Sequence, residues 1–406
     1  MPETSKLIKY LKTTIAIIML LGYGSVINVF APLLVDGLML LFTIILMIVN
    51  KAYLMNRKIF YALIGIYAVT LFSIIITHSS FSDYTGIYLR STIATLIITA
   101  FKNNYQDITQ HIIKAIQIIT GLAFINFLLA TLFPILFIDV TAPTGYRVYT
   151  CGYIFNYLVD STVLGINFIR NQGIFWEPGI LQIPINILLY YILIEQKQPL
   201  KKALFPLFVL LTTGSTTGFI TFAFILFVKF KSSFSLKGNG LIHSIGMILI
   251  TAAFIPILLS EIHNKFFSDA GSISFSARTY DILMGTLIIT QHPLTGIGIN
   301  ENNYFEATTT AEVVIDGETV SEARGNTNTI LSLFLYFGIP IATFLLIALY
   351  RQNLFKHKFV FFVIMLLSLM SEPLLVVYFF ILLLLSSIKI PIQQYGQKTI
   401  GYRTGL

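Results

Sequence analysis

Ten consecutive residues, 170–179, read RNQGIFWEPG and hold an arginine, the chain's only tryptophan, a carboxylate and a Pro-Gly break. They stand at the mouth of an apolar run, 180–194. An arginine fork grips paired phosphate or carboxylate oxygens. A neighbouring carboxylate can move a proton, and an indole stacks on a ligand or anchors at a membrane interface. One reading is a bent helix start, with Arg170 and Glu177 as a surface pair of little energetic weight and Trp176 as an interfacial anchor. The other is an anion site that faces out of a membrane.

Composition supplies the setting. Of 406 residues, 56% are hydrophobic and 11% charged, and the mean hydropathy is +0.83. A soluble domain carries about 25% charged residues, so this chain cannot cover a water-facing surface. The expectation is an all-α, polytopic membrane protein forming a single integral-membrane domain over 1–406. Crossing the hydrocarbon core takes about 20 apolar residues. Runs that approach this lie at 13–30, 33–50, 59–77, 84–101, 111–138, 178–194, 203–213, 216–230, 241–260, 327–350, 359–371 and 373–388, about twelve transmembrane helices in all. The first run follows MPETSKLIKYLK without a small-residue cleavage motif and reads as an uncleaved span. A single cysteine, Cys151, excludes an internal disulfide and any multi-cysteine metal site. The chain shows no internal repeat, low-complexity tract or soluble domain.

The basic residues orient these spans. With the N-terminus cytoplasmic and the spans alternating, every inner segment collects two or three Lys or Arg, as insertion favours. Six of the 26 basic residues fall elsewhere: Arg90, Arg147, Arg170, Lys265, Arg278 and Arg324. Both termini are therefore expected in the cytoplasm, with the protein in the inner (cytoplasmic) membrane. Inner lysines that answer anionic headgroups account for the net charge of +8 without any nucleic acid. Arginines on the outer face have no such reason to be there, and their planar fork suits phosphate.

Two outer segments are long. Residues 139–177 contain the aromatic-dense YRVYTCGYIFNYLVD, and 261–326 are too many for a plain connection. Within the second, 274–291 has helical spacing and a His292-Pro293 stop. This is expected to be a short helix at the outer membrane surface, carried by one large extracytoplasmic loop. GIGINENN and an acidic stretch to Glu322 follow, and read as a turn and a solvated flap.

Arg90 lies inside the fourth run, where a charge costs about 2.5 kcal/mol or more. It either faces a cavity or snorkels to the outer headgroups. Asp36, Glu177 and Glu372 sit at outer helix ends, where capping or pairing is the plain explanation. Taken together, several arginines and a few carboxylates beside apolar helices describe a pocket for a membrane-borne anion.

The order of these motifs resembles the bacterial O-antigen polymerase and O-antigen ligase family. RNQGIFWEPG is similar to its R-x-x-G-x-F-x-E-P-x stretch, and LTTGSTTG (211–218) to its L-T-x-S-R-T-G turn. SARTYDILMGTLIITQHPLTGIGIN (276–300) resembles its S-x-R…HPLxGxG segment, and TNTILSLFLYFG (327–338) its H-N-x-x-L…G span start. Two positions depart from the pattern. Thr327 stands where ligase members carry histidine, which favours a polymerase, and Thr216 stands where many relatives carry arginine.

The resemblance implies a membrane glycosyltransferase that polymerises polyprenyl-diphosphate-linked oligosaccharide repeat units for O-antigen, capsule or exopolysaccharide. The alternatives are a ligase-type glycan transferase and a lipid-linked sugar flippase. Implied partners are the lipid-linked oligosaccharide, membrane lipid, and a chain-length regulator and flippase of the same pathway. No cofactor or metal is expected, since arginines can hold a departing diphosphate electrostatically. On this reading Arg90, Arg170, Arg278 and Arg324 bind the lipid diphosphate. Glu177 is the first candidate base and His292 the second, although His-Pro is also a plain helix boundary. Trp176, Tyr146 and Asn328 are the candidate sugar contacts.

The topology is testable with single cysteines in a Cys151→Ser background. An impermeant thiol reagent applied to intact cells should label cysteines placed at Thr144 and Glu312 and spare those at Gln198 and Ser233. Equal labelling at 198 and 312 would sink the twelve-span order.

Overall fold

The computed structural model of the chain describes residues 2–141, 147–163, 166–233, 269–300, 303–306, 314–315, 318–319 and 328–390. The described residues are mostly helical. In chain order the helices are α1 (Pro2–Leu21), α2 (Val26–Phe30), α3 (Pro32–Asn50), α4 (Arg57–Thr77), α5 (Thr85–Ala100), α6 (Tyr105–Leu132) and α7 (Pro178–Tyr190). They continue with α8 (Leu204–Thr212), α9 (Thr216–Ser233), α10 (Asp269–Gln291), α11 (Thr329–Arg351), α12 (Lys358–Leu369) and α13 (Tyr378–Leu385). Local chemistry sets many of the starts. Asn56, Asn104 and Asn328 each accept a backbone N–H of the first turn, and Pro32 and Pro178 occupy first helical positions.

Five helices are long and apolar enough to cross a membrane: 32–50, 57–77, 105–132, 178–195 and 329–351. Several of the other apolar runs form shorter elements than expected. The run 13–30 breaks at Gly22–Ser25 into α1 and α2, and 373–388 yields only the eight residues of α13. The run 241–260 lies outside the described residues.

The helix ends sort into two faces. On one, Lys12 bonds Asp107 at 2.5 Å, Asn50 Nδ2 donates to Ala100 O, and Thr109 donates to Leu354 O. Glu195 there accepts from the Lys356 amide. These are the ends expected inside. The ends expected outside meet at the opposite face, around the candidate site.

The purely α expectation needs correction at the first long outer segment. Residues 138–173 form a four-stranded antiparallel sheet of β1 (Ile138–Thr141), β2 (Arg147–Cys151), β3 (Phe155–Val163) and β4 (Ile166–Gly173), in that order. The reason is a period of two. Val148 and Thr150 are buried, while Tyr149 between them is 37% exposed. Gly152 and Tyr153, both with positive φ, make the tight turn from β2 to β3. Tyr149 stacks on its cross-strand partner Tyr157, their centroids 5.2 Å apart. Tyr157 in turn packs with Phe137 and Ala130, which seats the sheet on the end of α6. A two-stranded ribbon, β5 (Val314–Ile315) with β6 (Glu318–Thr319), lies in the acidic stretch.

Helix α10 starts five residues earlier than the spacing predicts and ends at Gln291, before the expected His-Pro stop. It runs against α11 rather than lying free. A Cβ on Gly285 would fall 2.3 Å from the Leu331 side chain. Tyr280, Asp281, Met284 and Ile288 are buried on that side.

The loop after α10 has a specific task. Helix α11 is kinked at Gly338, whose φ is +72°, and Pro340 has no N–H to give. The carbonyls of Leu335 and Tyr336 would be left open. They accept instead from Ile297 N (2.8 Å) and Gly298 N (3.2 Å), while Ile339 N donates to Pro293 O (2.7 Å). The HPLTGIG segment thus patches a broken helix. Its glycines are required by close approach, since a Cβ on Gly296 would meet Leu335 O at 2.4 Å and one on Gly298 the Ser79 hydroxyl at 2.4 Å.

Gly338→Ala should therefore destabilise the protein. Its φ is left-handed and the new Cβ would sit 2.4 Å from Leu294 O, a combination that costs more than about 1 kcal/mol. Gly121→Ala, where nothing lies within 4 Å, is the control. Thermal unfolding in detergent should show a lower midpoint for the first variant only; equal midpoints would remove the patch from the account.

Candidate functional site at the mouth of the helices

Almost every residue of RNQGIFWEPG has a mechanical role here. Arg170 leaves β4 half-buried and donates from Nε to Thr213 O and from Nη2 to Gly214 O, both at 3.2 Å. It thereby clamps the open carbonyls between α8 and α9. Asn171 donates to Ala123 O and Thr212 Oγ1 and accepts from Asn126, which ties the strand to α6 and α8. Gln172 Nε2 reaches over the turn to Trp176 O at 2.7 Å. Gly173, with φ of +61°, brings its backbone close to Ala123.

The second half of the motif is stitched to the break after α1. Val26 N donates to Ile174 O, and Trp176 N to Gly24 O. Ser25 forms a single antiparallel bridge with Phe175. Glu177 then caps α7 by backbone geometry, its side chain making no cap bond. Gly179 follows because space demands it. A Cβ there would fall 1.8 Å from Glu372 Oε1, so the Glu-Pro of 177–178 and the Glu-Pro of 372–373 meet through this glycine. Thr329 in turn hydrogen-bonds to Glu372 O and accepts from Leu374 N, joining α11 to the same corner.

These pieces enclose a cavity of about 350 Å³. Its lining comes from 22–28, Arg90, Trp176, Ile180, Ile299, the start of α11 and 373–377. Arg90 enters from α5 and is held on three sides. Its Nε and Nη2 bond both oxygens of Asp36 on α3, at 3.3 and 3.4 Å, and its Nη1 donates to Val376 O at 3.0 Å. The guanidinium also sits 5.7 Å from the centre of the Tyr378 ring, whose hydroxyl donates to Asp36 at 2.8 Å. Side-chain exposure is 16% for Arg90 and 8% for Asp36. Burial of a charge is tolerated when it is paired and hydrogen-bonded in this manner. Snorkelling is therefore not how the structure accommodates Arg90.

Of the residues singled out from sequence, Arg90 and Trp176 line the cavity. Arg170 and Glu177 lie in the segment that builds its wall, one at each end. Asn328 spends its Oδ1 on capping α11, accepting from Leu331 N at 3.1 Å. His292 is exposed and does not line the cavity; its carbonyl accepts from Gly296 N. Arg278 belongs to α10 by its backbone, but its side chain lies outside the described residues, as do Arg324 and Tyr146. Sequence reasoning missed Tyr23, Asn28 and Ser332, all of which line the cavity. The signal for Tyr23 is the GYGS interruption at 22–25, inside the apolar run 13–30.

Comparison with known proteins follows this geometry. Residues 203–346 match the family model described as O-Antigen ligase. No curated protein and no solved structure matches the chain. The matched stretch takes in the turn clamped by Arg170, helix α10, the patch at Gly338 and residues 329–346 of α11, and so three of the four motifs noted above. The chain is thus an integral membrane protein that, over residues 203–346, is similar to the O-antigen ligase family.

Proposed function

We propose that the protein is a polymerase of polyprenyl-diphosphate-linked oligosaccharide repeat units, working at the outer face of the cytoplasmic membrane. The similarity of residues 203–346 to the O-antigen ligase family supports a membrane glycosyltransferase acting on lipid-linked oligosaccharide. The observation that carries the proposal is the physical union of the matched stretch with the RNQGIFWEPG segment, through the Arg170 clamp on the carbonyls of Thr213 and Gly214. Together they wall a cavity that adjoins apolar helices, which suits a substrate with a saccharide head and a lipid tail. A ligase reading has the family description on its side. Thr327, in place of the histidine that ligase members carry, supports polymerisation over it.

In this reading Arg170, Arg278 and Arg324 hold the lipid diphosphate, and Arg90 lines the adjoining cavity. The growing chain on one lipid passes to the non-reducing end of a unit on another. Positive charge stabilises the departing diphosphate, while Glu177, or failing that His292, takes the acceptor hydroxyl proton. The segment 261–326 covers the acceptor.

Purified full-length protein in detergent, where no gradient can drive transport, should lengthen lipid-linked repeat units on its own. If the ladder of products never extends beyond one unit, polymerisation is the wrong reaction. Arg278→Ala and Arg324→Ala should each slow elongation by about 10²-fold at normal protein levels. Arg170→Lys should also impair it, because one ammonium cannot span two carbonyls as the fork does. Wild-type polymer length in both alanine variants would show that the diphosphate binds elsewhere. Deleting residues 308–317 should leave the protein inserted while single lipid-linked repeats accumulate; unchanged polymer would make that part of the loop dispensable.

A further inference from the structure

The break after α1 carries polar groups that the fold leaves unused. Tyr23 is 2% exposed and its ring meets Phe379 edge-on at 5.9 Å, yet its hydroxyl has no hydrogen-bond partner. Asn28 Oδ1, one helical turn further on, is likewise buried and unpartnered. Both residues line the cavity of about 350 Å³, a size within the range of small-ligand sites. Leaving a buried polar atom unbonded costs about 1–3 kcal/mol. Two such atoms on one wall mark a place where a ligand supplies the missing partners.

The chemistry of these groups narrows the ligand. A tyrosine hydroxyl both donates and accepts, whereas an amide oxygen only accepts. An ionised phosphate offers acceptors alone and cannot satisfy Asn28 Oδ1. A sugar hydroxyl can donate to one group and accept from the other. Charge points the same way. Arg90, the cation among the lining residues, is already matched by Asp36, so the lining holds no surplus positive charge for an anion. The rest of the polar lining is neutral, from Trp176, Tyr336, Ser332 and Thr329, the last with its hydroxyl engaged by Glu372 O and Leu374 N. Aromatic faces beside neutral hydroxyls suit a pyranose ring better than a diphosphate.

We infer that this cavity is a subsite for one neutral sugar unit, whose hydroxyls are bound by Tyr23 and Asn28 beneath Trp176. The inference rests on the glycan-transfer reading for its biological role, and it assigns the diphosphate to arginines other than Arg90.

Trp176 is the chain's only tryptophan and lines the same cavity, so its fluorescence reports occupancy directly. The full chain in detergent is titrated with the methyl glycosides of glucose, galactose, mannose, rhamnose, N-acetylglucosamine and N-acetylgalactosamine, each to about 100 mM, and separately with inorganic pyrophosphate. At least one glycoside should change the emission saturably, and pyrophosphate should not. Tyr23→Phe keeps the ring packing and Asn28→Leu keeps the volume; each should weaken that glycoside by about fivefold, the loss of one neutral hydrogen bond. Silence towards every glycoside, saturation by pyrophosphate, or wild-type affinity in both variants would overturn the subsite. Elongation of lipid-linked repeats without any glycoside response removes the subsite and leaves the polymerase reading standing. A glycoside response without elongation does the reverse.

Discussion

A backbone amide or carbonyl cannot be left open where water does not reach, and that constraint shapes the half of this molecule that holds the cavity. Several of its helices stop or kink there. Each break exposes groups that an unbroken helix would have paired within itself. The structure answers each break with a segment from elsewhere in the chain. Arg170 covers the carbonyls between α8 and α9, residues 293–298 cover the kink of α11, and 174–176 cover the gap after α1. The result is a cavity walled in part by loops, held by backbone bonds between 24–26 and 174–176 and by side-chain bonds from Arg90 and Thr329 to 372–376.

The same constraint explains why glycines cluster at this face. Gly179, Gly296, Gly298 and Gly338 are places where one segment passes within van der Waals contact of another. At Gly179 the neighbour is the Glu372 carboxylate, which brings two Glu-Pro breaks together on one corner. A motif that reads as chemistry in the sequence is thus, for much of its length, the joinery that makes a site possible. Trp176 within it is held by its backbone, which donates to Gly24 O and accepts from Gln172.

Electrostatics divides the arginines into kinds. Arg90 is enclosed with Asp36, the Val376 carbonyl and the Tyr378 ring, an arrangement that neutralises its charge and locks α3, α5 and the segment before α13 to one another. Removal of either partner would leave an uncompensated buried charge, which costs more than the pair itself contributes. Arg170 donates to the carbonyls of Thr213 and Gly214, which orient its guanidinium. Residue type and depth in a span do not distinguish these cases.

Membrane character and the family resemblance over 203–346 were legible in the chain, because each depends on quantities that add along it: apolar length and the order of short motifs. The sheet at 138–173 was also written there, in the alternation of Val148, Tyr149 and Thr150, but a run of apolar and aromatic residues inside a membrane protein reads as helix or loop until its pairing partner is known. What only the tertiary structure decided is who meets whom. That Asp36 answers Arg90 across 54 residues, that Gly179 exists to admit Glu372, and that Tyr23 and Asn28 turn unpaired groups into a shared cavity are matters of three-dimensional proximity. Local sequence carries no record of such distances, since a carboxylate at a helix mouth looks the same whether it caps, pairs or faces a ligand.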